Sequence, residues 1–257
     1  MPAIQVVLFD LGGTLLHYEQ PPQYSFDAMN ALGLRAFLSA ATAAGARVAD
    51  PDLAIRAVGR MAAAMEARAA RTQYSNTAEV IIRDGLEAVN VSLQPKAWDA
   101  GIAAYYRTIS EIARPVEGDP KGVLALLTEQ GRGLGLVSNT FWSAEMHDAD
   151  LARYGLLEYL PVRVYSCLAG MVKPHPSIYR QALDQLDVAP AEAVFVGDKL
   201  AVDIAGPQKI GMRAILVASP YRLEENPEIT PDARIRTLGE LPELLETWDK
   251  ALDRHLA

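Results

Sequence analysis

The segment Ile4–Gln5–Val6–Val7–Leu8–Phe9 is an almost unbroken apolar run that stops abruptly at Asp10, Gly12 and Gly13. A strand that is apolar on both faces must be covered on both, which suits a parallel sheet flanked by helices. Runs of the same character recur at Leu134–Val137, Ala193–Val196 and Ala214–Val217, with a further candidate at Val162–Tyr165. Helix signals fall between them. Asp119 reads as an N-cap before Pro120, with Gly131 as the stop and Val123, Leu124 and Leu127 as an apolar stripe. Pro176 opens another helix, in which Ile178, Tyr179, Ala182, Leu183 and Leu186 share a face. A third is expected from Ala201 to Ile210, closed by Gly211. This rhythm predicts an α/β fold with a doubly wound parallel sheet.

Residues 20–112 break the rhythm. They are rich in Ala, Leu, Arg and Met and contain no strand-like run. Helices are predicted over Ala36–Ala44, Pro51–Arg71, Thr77–Val89 and Ala97–Ile112, with Gly45 and Pro95 at boundaries. The expected organisation is a core domain of residues 1–19 and 113–257, interrupted by an all-helical domain over 20–112. Pro21–Pro22 and Arg114–Pro115 mark the two connections, and Arg56, Arg60, Arg68 and Arg71 read as a solvated helix face.

Composition narrows the function classes. With 50% apolar and 22% charged residues over 257 positions, the chain is a packed globular protein and not a disordered one. A net charge of −8 and a pI near 5.1 argue against nucleic acid or an anionic membrane as partner. No apolar run approaches the ~18–20 residues that span a bilayer, and the N-terminus has no basic leader region. The single cysteine, Cys167, forms no internal disulfide and no thiolate cluster. A cytoplasmic monomer or homodimer acting on a small molecule is expected.

In open α/β sheets ligands bind beyond the carboxyl ends of the strands, so the residues that end each apolar run are the candidates. They are Asp10, Ser138 and Gly197–Asp198; Lys173 lies in the loop Gly170–Pro174, and Asp203 follows Asp198 by five residues. Carboxylates, a hydroxyl and a lysine at one sheet edge suit phosphoryl transfer to a carboxylate. An attacking carboxylate is repelled by a phosphate dianion unless cations neutralise the site. Asp10 and Asp198 are the expected holders of Mg²⁺, a hard cation that takes oxygen ligands. Lys173 adds positive charge, Ser138 and backbone N–H groups hold phosphate oxygens, and Asp10 is the nucleophile.

Phe9–Asp10–Leu11–Gly12–Gly13–Thr14–Leu15, Val137–Ser138–Asn139, Lys173–Pro174 and Gly197–Asp198 with Asp203 resemble the four ordered motifs of the haloacid dehalogenase superfamily. The resemblance covers residues 4 to about 218 and implies a Rossmann-like core with an inserted helical cap. It also implies Mg²⁺ as cofactor and, in most members, phosphatase activity on a small phosphorylated metabolite. By the same resemblance Asp10, Asp198 and the Gly12 carbonyl hold the metal, Ser138, Asn139 and Lys173 hold substrate, and Thr14 and Asp203 support the site. One position departs from the pattern. Most phosphatases of the superfamily carry a second aspartate, the general acid and base, where this chain has Gly12. Such proton transfer contributes about 10²–10⁴-fold. A slow enzyme, an unusual leaving group or a substitute acid is implied, and His17 and Glu19 are the nearest candidates for the last. Two competing readings stay open: a true haloacid dehalogenase, in which Asp10 attacks carbon without metal, and a fold-retaining binding or regulatory protein. His175, Lys199, Phe141 and Trp142 lie near the motifs, and each has an adequate structural explanation.

Overall fold

The structure, a computed structural model, describes residues 4–18, 26–219 and 226–256; Glu19 and Pro21–Pro22 lie outside them. It divides into two compact units: Met1–His17 with Arg114–Asn139 and Leu151–Ala257, and Tyr18–Ala113 with Thr140–Asp150. In chain order the first unit begins with β1 (Val6–Phe9) and β2 (Leu16–His17). The second holds α1 (Phe26–Ala43), α2 (Pro51–Thr72), α3 (Ala78–Glu87) and α4 (Pro95–Ser110). There follow β3 (Arg114–Pro115), α5 (Pro120–Glu129), β4 (Gly133–Ser138), α6 (Ala144–Arg153), β5 (Val162–Tyr165), α7 (Ser166–Ala169) and α8 (Pro176–Gln185). The chain ends through β6 (Ala193–Gly197), α9 (Ala205–Gln208), β7 (Arg213–Val217), β8 (Ala233–Ile235) and α10 (Leu241–Leu256). No described helix is long and apolar enough to cross a membrane.

The first unit is built on a six-stranded, all-parallel sheet in the order β5-β4-β1-β6-β7-β8. From β1 the chain builds outward through β4 and β5, then returns to the other side of β1 for β6, β7 and β8. The strand order therefore reverses beside β1, and the carboxyl ends of β1, β4 and β6 meet at the switch point where such sheets bind ligands. Every residue of β1 and β6 is buried, which is why their sequences do not alternate. The face of α8 formed by Ile178, Tyr179, Ala182 and Leu183 packs with Leu8, Val137, Val164 and Phe195. Burial of each such large side chain contributes about 1.5–3 kcal/mol, so packing rather than local propensity stabilises a four-residue strand like β1. As expected, Asp119 caps α5, its side chain accepting from the Gly122 N–H at 3.1 Å.

The second unit pairs α1 with α4 and α2 with α3. Phe26, and not Ala36, opens α1, because Gly33 belongs inside the helix: a Cβ there would stand 2.8 Å from the Tyr105 ring of α4. The expected division at 19/20 and 112/113 leaves residues 140–150 in the core, whereas the structure counts them with the helices. Trp142 Nε1 donates to Tyr105 Oη at 3.0 Å, and the Ala78 N–H donates to the Phe141 carbonyl at 2.7 Å. Around them lies a buried polar cluster in which Tyr18 Oη meets His147 Nδ1 at 2.8 Å and donates to Asp150 at 3.1 Å. Trp142 is thus a packing residue of the helical unit, and Phe141 is tied to it through its main chain.

Two further expectations are corrected. The single helix over 201–210 is replaced by one π-type turn at Leu200–Ile204, followed by the short α9. Pro207 has no N–H to offer the Asp203 carbonyl, which prevents a regular helix there, and Tyr179 Oη donates to the Val202 carbonyl within the turn. The third edge-side strand, β8, has no counterpart in the expected set.

Candidate active site

Each strand that ends at the switch point delivers a polar residue. Asp10 leaves β1 with its N–H bonded to the Val196 carbonyl of β6 at 2.9 Å. Ser138 is the last residue of β4, paired with Tyr165 of β5. Asp198 follows Gly197, the last residue of β6. Lys173 reaches the same place from the loop before α8, and Asp203 from the π-type turn. Asp10, Ser138, Lys173, Asp198 and Asp203 are all buried. The structure brings Asp10, Lys173, Asp198 and Asp203 together, and Ser138 ends the strand next to β1.

Lys173 is the electrostatic centre. Its Nζ donates to Asp10 Oδ1 and to Asp203 Oδ1, both at 2.7 Å, and lies 5.0 Å from the centre of the Phe195 ring. Burial by itself would lower the Lys173 pKa, but the carboxylates of Asp10 and Asp203 override it and hold the ammonium above its ordinary value. Asp203 is pushed above the ordinary carboxylate range, first by burial and then by Asp10, with Lys173 opposing. Its second oxygen accepts from the Lys199 N–H at 3.0 Å, so both oxygens of Asp203 are engaged within the protein. Lys199 joins the site through its main chain.

Carboxylate oxygens of Asp10, Asp198 and Asp203 lie within 4.8 Å of one another. Three acids against one lysine leave an excess of negative charge in a buried place, and an all-oxygen donor set is the chemistry that hard divalent cations such as Mg²⁺ demand. The residues present therefore fit the ion. Asp10, Asp198 and the Gly12 carbonyl would hold it, and Asp203, already committed to Lys173 and Lys199, would support from behind.

The turn after β1 is shaped for these neighbours. Gly13 has φ +91°, and a Cβ there would fall 2.3 Å from Asp198 Oδ2, so only glycine lets the turn pass under Asp198. Gly12 is different: a Cβ at that position would have nothing within 4 Å. Thr14 is fully buried, and its hydroxyl has no hydrogen-bond partner among the described residues.

Asn139 directs its carboxamide to the main chain of Lys173, donating to the carbonyl at 3.0 Å and accepting from the N–H at 2.7 Å. His17 is buried in β2 opposite Arg114, and Glu19 lies outside the described residues. His175 caps α8, its Nδ1 accepting from the Ser177 N–H at 3.2 Å. Cys167 sits half-buried in α7. Arg56, Arg60, Arg68 and Arg71 are exposed along α2.

The model of the haloacid dehalogenase-like hydrolase family matches residues 4–211, which span all four groups of site residues. The chain belongs to this family of hydrolases. This haloacid dehalogenase-like hydrolase is 30% identical over 165 residues to a glyceraldehyde 3-phosphate phosphatase of Pyrococcus furiosus, a match covering 64% of this chain and 67% of that one. It is 34% identical over 122 residues to a phosphoserine phosphatase of Thermus thermophilus, covering 48% and 49%. The chain thus spans about half to two thirds of the length of these curated relatives. Among solved structures, an HAD phosphatase from Thermococcus onnurineus superposes with TM-score 0.63 at 23% identity, covering 94% of this chain and 98% of that one. A 2-haloacid dehalogenase from Pseudomonas syringae pv. Tomato DC3000 superposes with TM-score 0.66 at 24% identity, covering 95% and 99%. At these identities the two structures speak for the fold alone.

Proposed function

We propose that this hydrolase cleaves a small phosphate monoester with Mg²⁺ as cofactor, through an aspartyl-phosphate on Asp10. The observation that carries the reading is the buried cluster in which Lys173 bridges Asp10 and Asp203 while Asp198 lies within 4.8 Å. Bound Mg²⁺ would supply the positive charge that lets an anionic nucleophile approach an anionic phosphate. Lys173 fixes one oxygen of Asp10 and so sets the plane of its carboxylate. Asp10 attacks phosphorus, the bond to the leaving oxygen breaks, and water then cleaves the acyl phosphate to release inorganic phosphate and regenerate the carboxylate. Ser138 holds a phosphate oxygen during both steps. The helical unit takes the role of cap that the family resemblance implies.

Gly12 bears on the substrate. Position 12 itself offers no side chain to protonate a departing alkoxide, and a Cβ there would have nothing within 4 Å. The esters best served are those whose leaving group departs as a stable anion, such as aryl or enol phosphates. The dehalogenase reading is disfavoured because displacement of halide from carbon gives Asp198 no evident task. The named relatives, with their phosphorylated substrates, support the phosphatase side. The test is phosphate release from p-nitrophenyl phosphate and a panel of sugar, acyl and nucleotide phosphates. It is run with Mg²⁺, with chelator, and with Asp10→Asn. Release that needs Mg²⁺ and disappears in the variant is expected; full activity of Asp10→Asn refutes the nucleophile.

A further inference from the structure

We infer that Asn139 is a positioning residue, which holds Lys173 in register by its main chain rather than gripping substrate. The inference rests on the phosphatase reading for its kinetic consequence, though not for its geometry. Lys173 is the one buried lysine among the described residues. It sits outside the sheet, in the loop before α8, and the residue after it, Pro174, has no N–H with which to anchor the loop. Its flexible four-carbon side chain must nevertheless place Nζ at 2.7 Å from two carboxylates at once. A long side chain reaches a fixed point reproducibly only when its Cα is fixed.

The carboxamide of Asn139 supplies that fixed point. Its donor and acceptor pair with the carbonyl and N–H of the same residue, Lys173, as a neighbouring strand would. The pairing determines which way the amide faces, since the reverse orientation would set donor against donor and acceptor against acceptor. It also extends the order of β4 to a loop 34 residues further along the chain. Ser138 is the last residue of β4 and Asn139 follows it; both hydrogen-bonding groups of the Asn139 carboxamide are engaged by Lys173.

The experiment compares Asn139→Ala and the isosteric Asn139→Asp in the wild-type and Lys173→Met backgrounds, with p-nitrophenyl phosphate and Mg²⁺. Asn139→Asp keeps the acceptor for the Lys173 N–H but turns an acceptor toward the Lys173 carbonyl, so it carries the same test if melting shows that Asn139→Ala does not fold. A displaced catalytic cation lowers kcat by about 10- to 100-fold, with KM changed by less than about threefold. In the Lys173→Met background the same substitutions are expected to cost less than about threefold, because there is no ammonium left to misplace. A rise in KM with kcat preserved, or an equal loss in both backgrounds, overturns the inference. A second readout needs no turnover: reductive methylation of lysines, located by mass spectrometry. Lys173 is expected to resist labelling in the wild type and to become labelled in the Asn139 variants at a temperature where they remain folded. Absence of phosphate release by the wild type from every substrate refutes the phosphatase reading. The labelling then decides alone, and unchanged protection of Lys173 overturns the inference.

Discussion

Replacing Lys173 with methionine keeps a long apolar stem and removes one charge, and its cost follows from the site's distances. Two contacts of 2.7 Å link the ammonium to Asp10 and Asp203, whose side chains are 7% and 0% exposed. At an effective dielectric of about 20, each attraction amounts to about 6 kcal/mol, while carboxylate oxygens within 4.8 Å of one another repel by at least about 3 kcal/mol per pair. The wild-type cluster is held together by its lysine; without it three acids repel one another in a buried place. Relaxation and proton uptake relieve part of this, and removing one partner of a buried pair costs about 3–5 kcal/mol in practice. That corresponds to a fall in melting temperature on the order of 10 °C for a chain of this size. The assay is thermal unfolding followed by circular dichroism in chelator near neutral pH. Mg²⁺ is expected to raise the melting point of Lys173→Met more than that of the wild type. The deficit should shrink as pH falls toward the carboxylate range, because Asp203, pushed up by burial, then takes up a proton and the repulsion fades. On the alkaline side the sign reverses in origin. The Lys173 pKa is raised, so its contribution is complete below the ordinary lysine value and is lost as pH rises through the higher folded one. A variant that melts within about 2 °C of the wild type at neutral pH, less than about 1 kcal/mol, would refute the claim that this cluster is charged and lysine-bound.

Gly12→Asp should fit without strain, since a Cβ there meets nothing within 4 Å. It is expected to flatten the dependence of kcat/KM on leaving-group pKa, raising alkyl phosphates relative to aryl ones by about 10²-fold; a wild-type dependence that is already flat means that another acid serves the site. Tyr105 and Tyr179, both shifted above the ordinary tyrosine range by burial, should remain un-ionised in an ultraviolet absorbance titration until the protein unfolds. The other tyrosines of the ten in the chain are the internal comparison. Because those two pKa values are raised on folding, their contribution is present below the ordinary tyrosine value and lost as pH rises above it. Ionisation of all ten in one unshifted step would refute this.

Much of the molecule was legible in the residues because the physics is local. A strand buried on both faces must be apolar throughout, so β1, β4, β6 and β7 stood out. The residues that end such strands project from the sheet edge, so Asp10, Ser138 and Asp198 could be named. Pro120, Pro176 and Asp119 marked helix starts because their backbone limits and capping chemistry need no tertiary partner. What escaped depended on partners far along the chain. The reach of β8 was hidden because three residues carry no periodicity. The π-type turn that presents Asp203 arises where Tyr179 and Lys173 bind a segment that Pro207 keeps from regular helix. Residues 140–150 join the helical unit because Trp142 meets Tyr105, 37 residues earlier. Sequence alone determined which side chains could do chemistry and at which edge of the sheet they would emerge. Tertiary structure alone decided which of them act on one another: a carboxamide at position 139 has the same donor and acceptor whatever it faces, and only the fold brings the main chain of Lys173 to it.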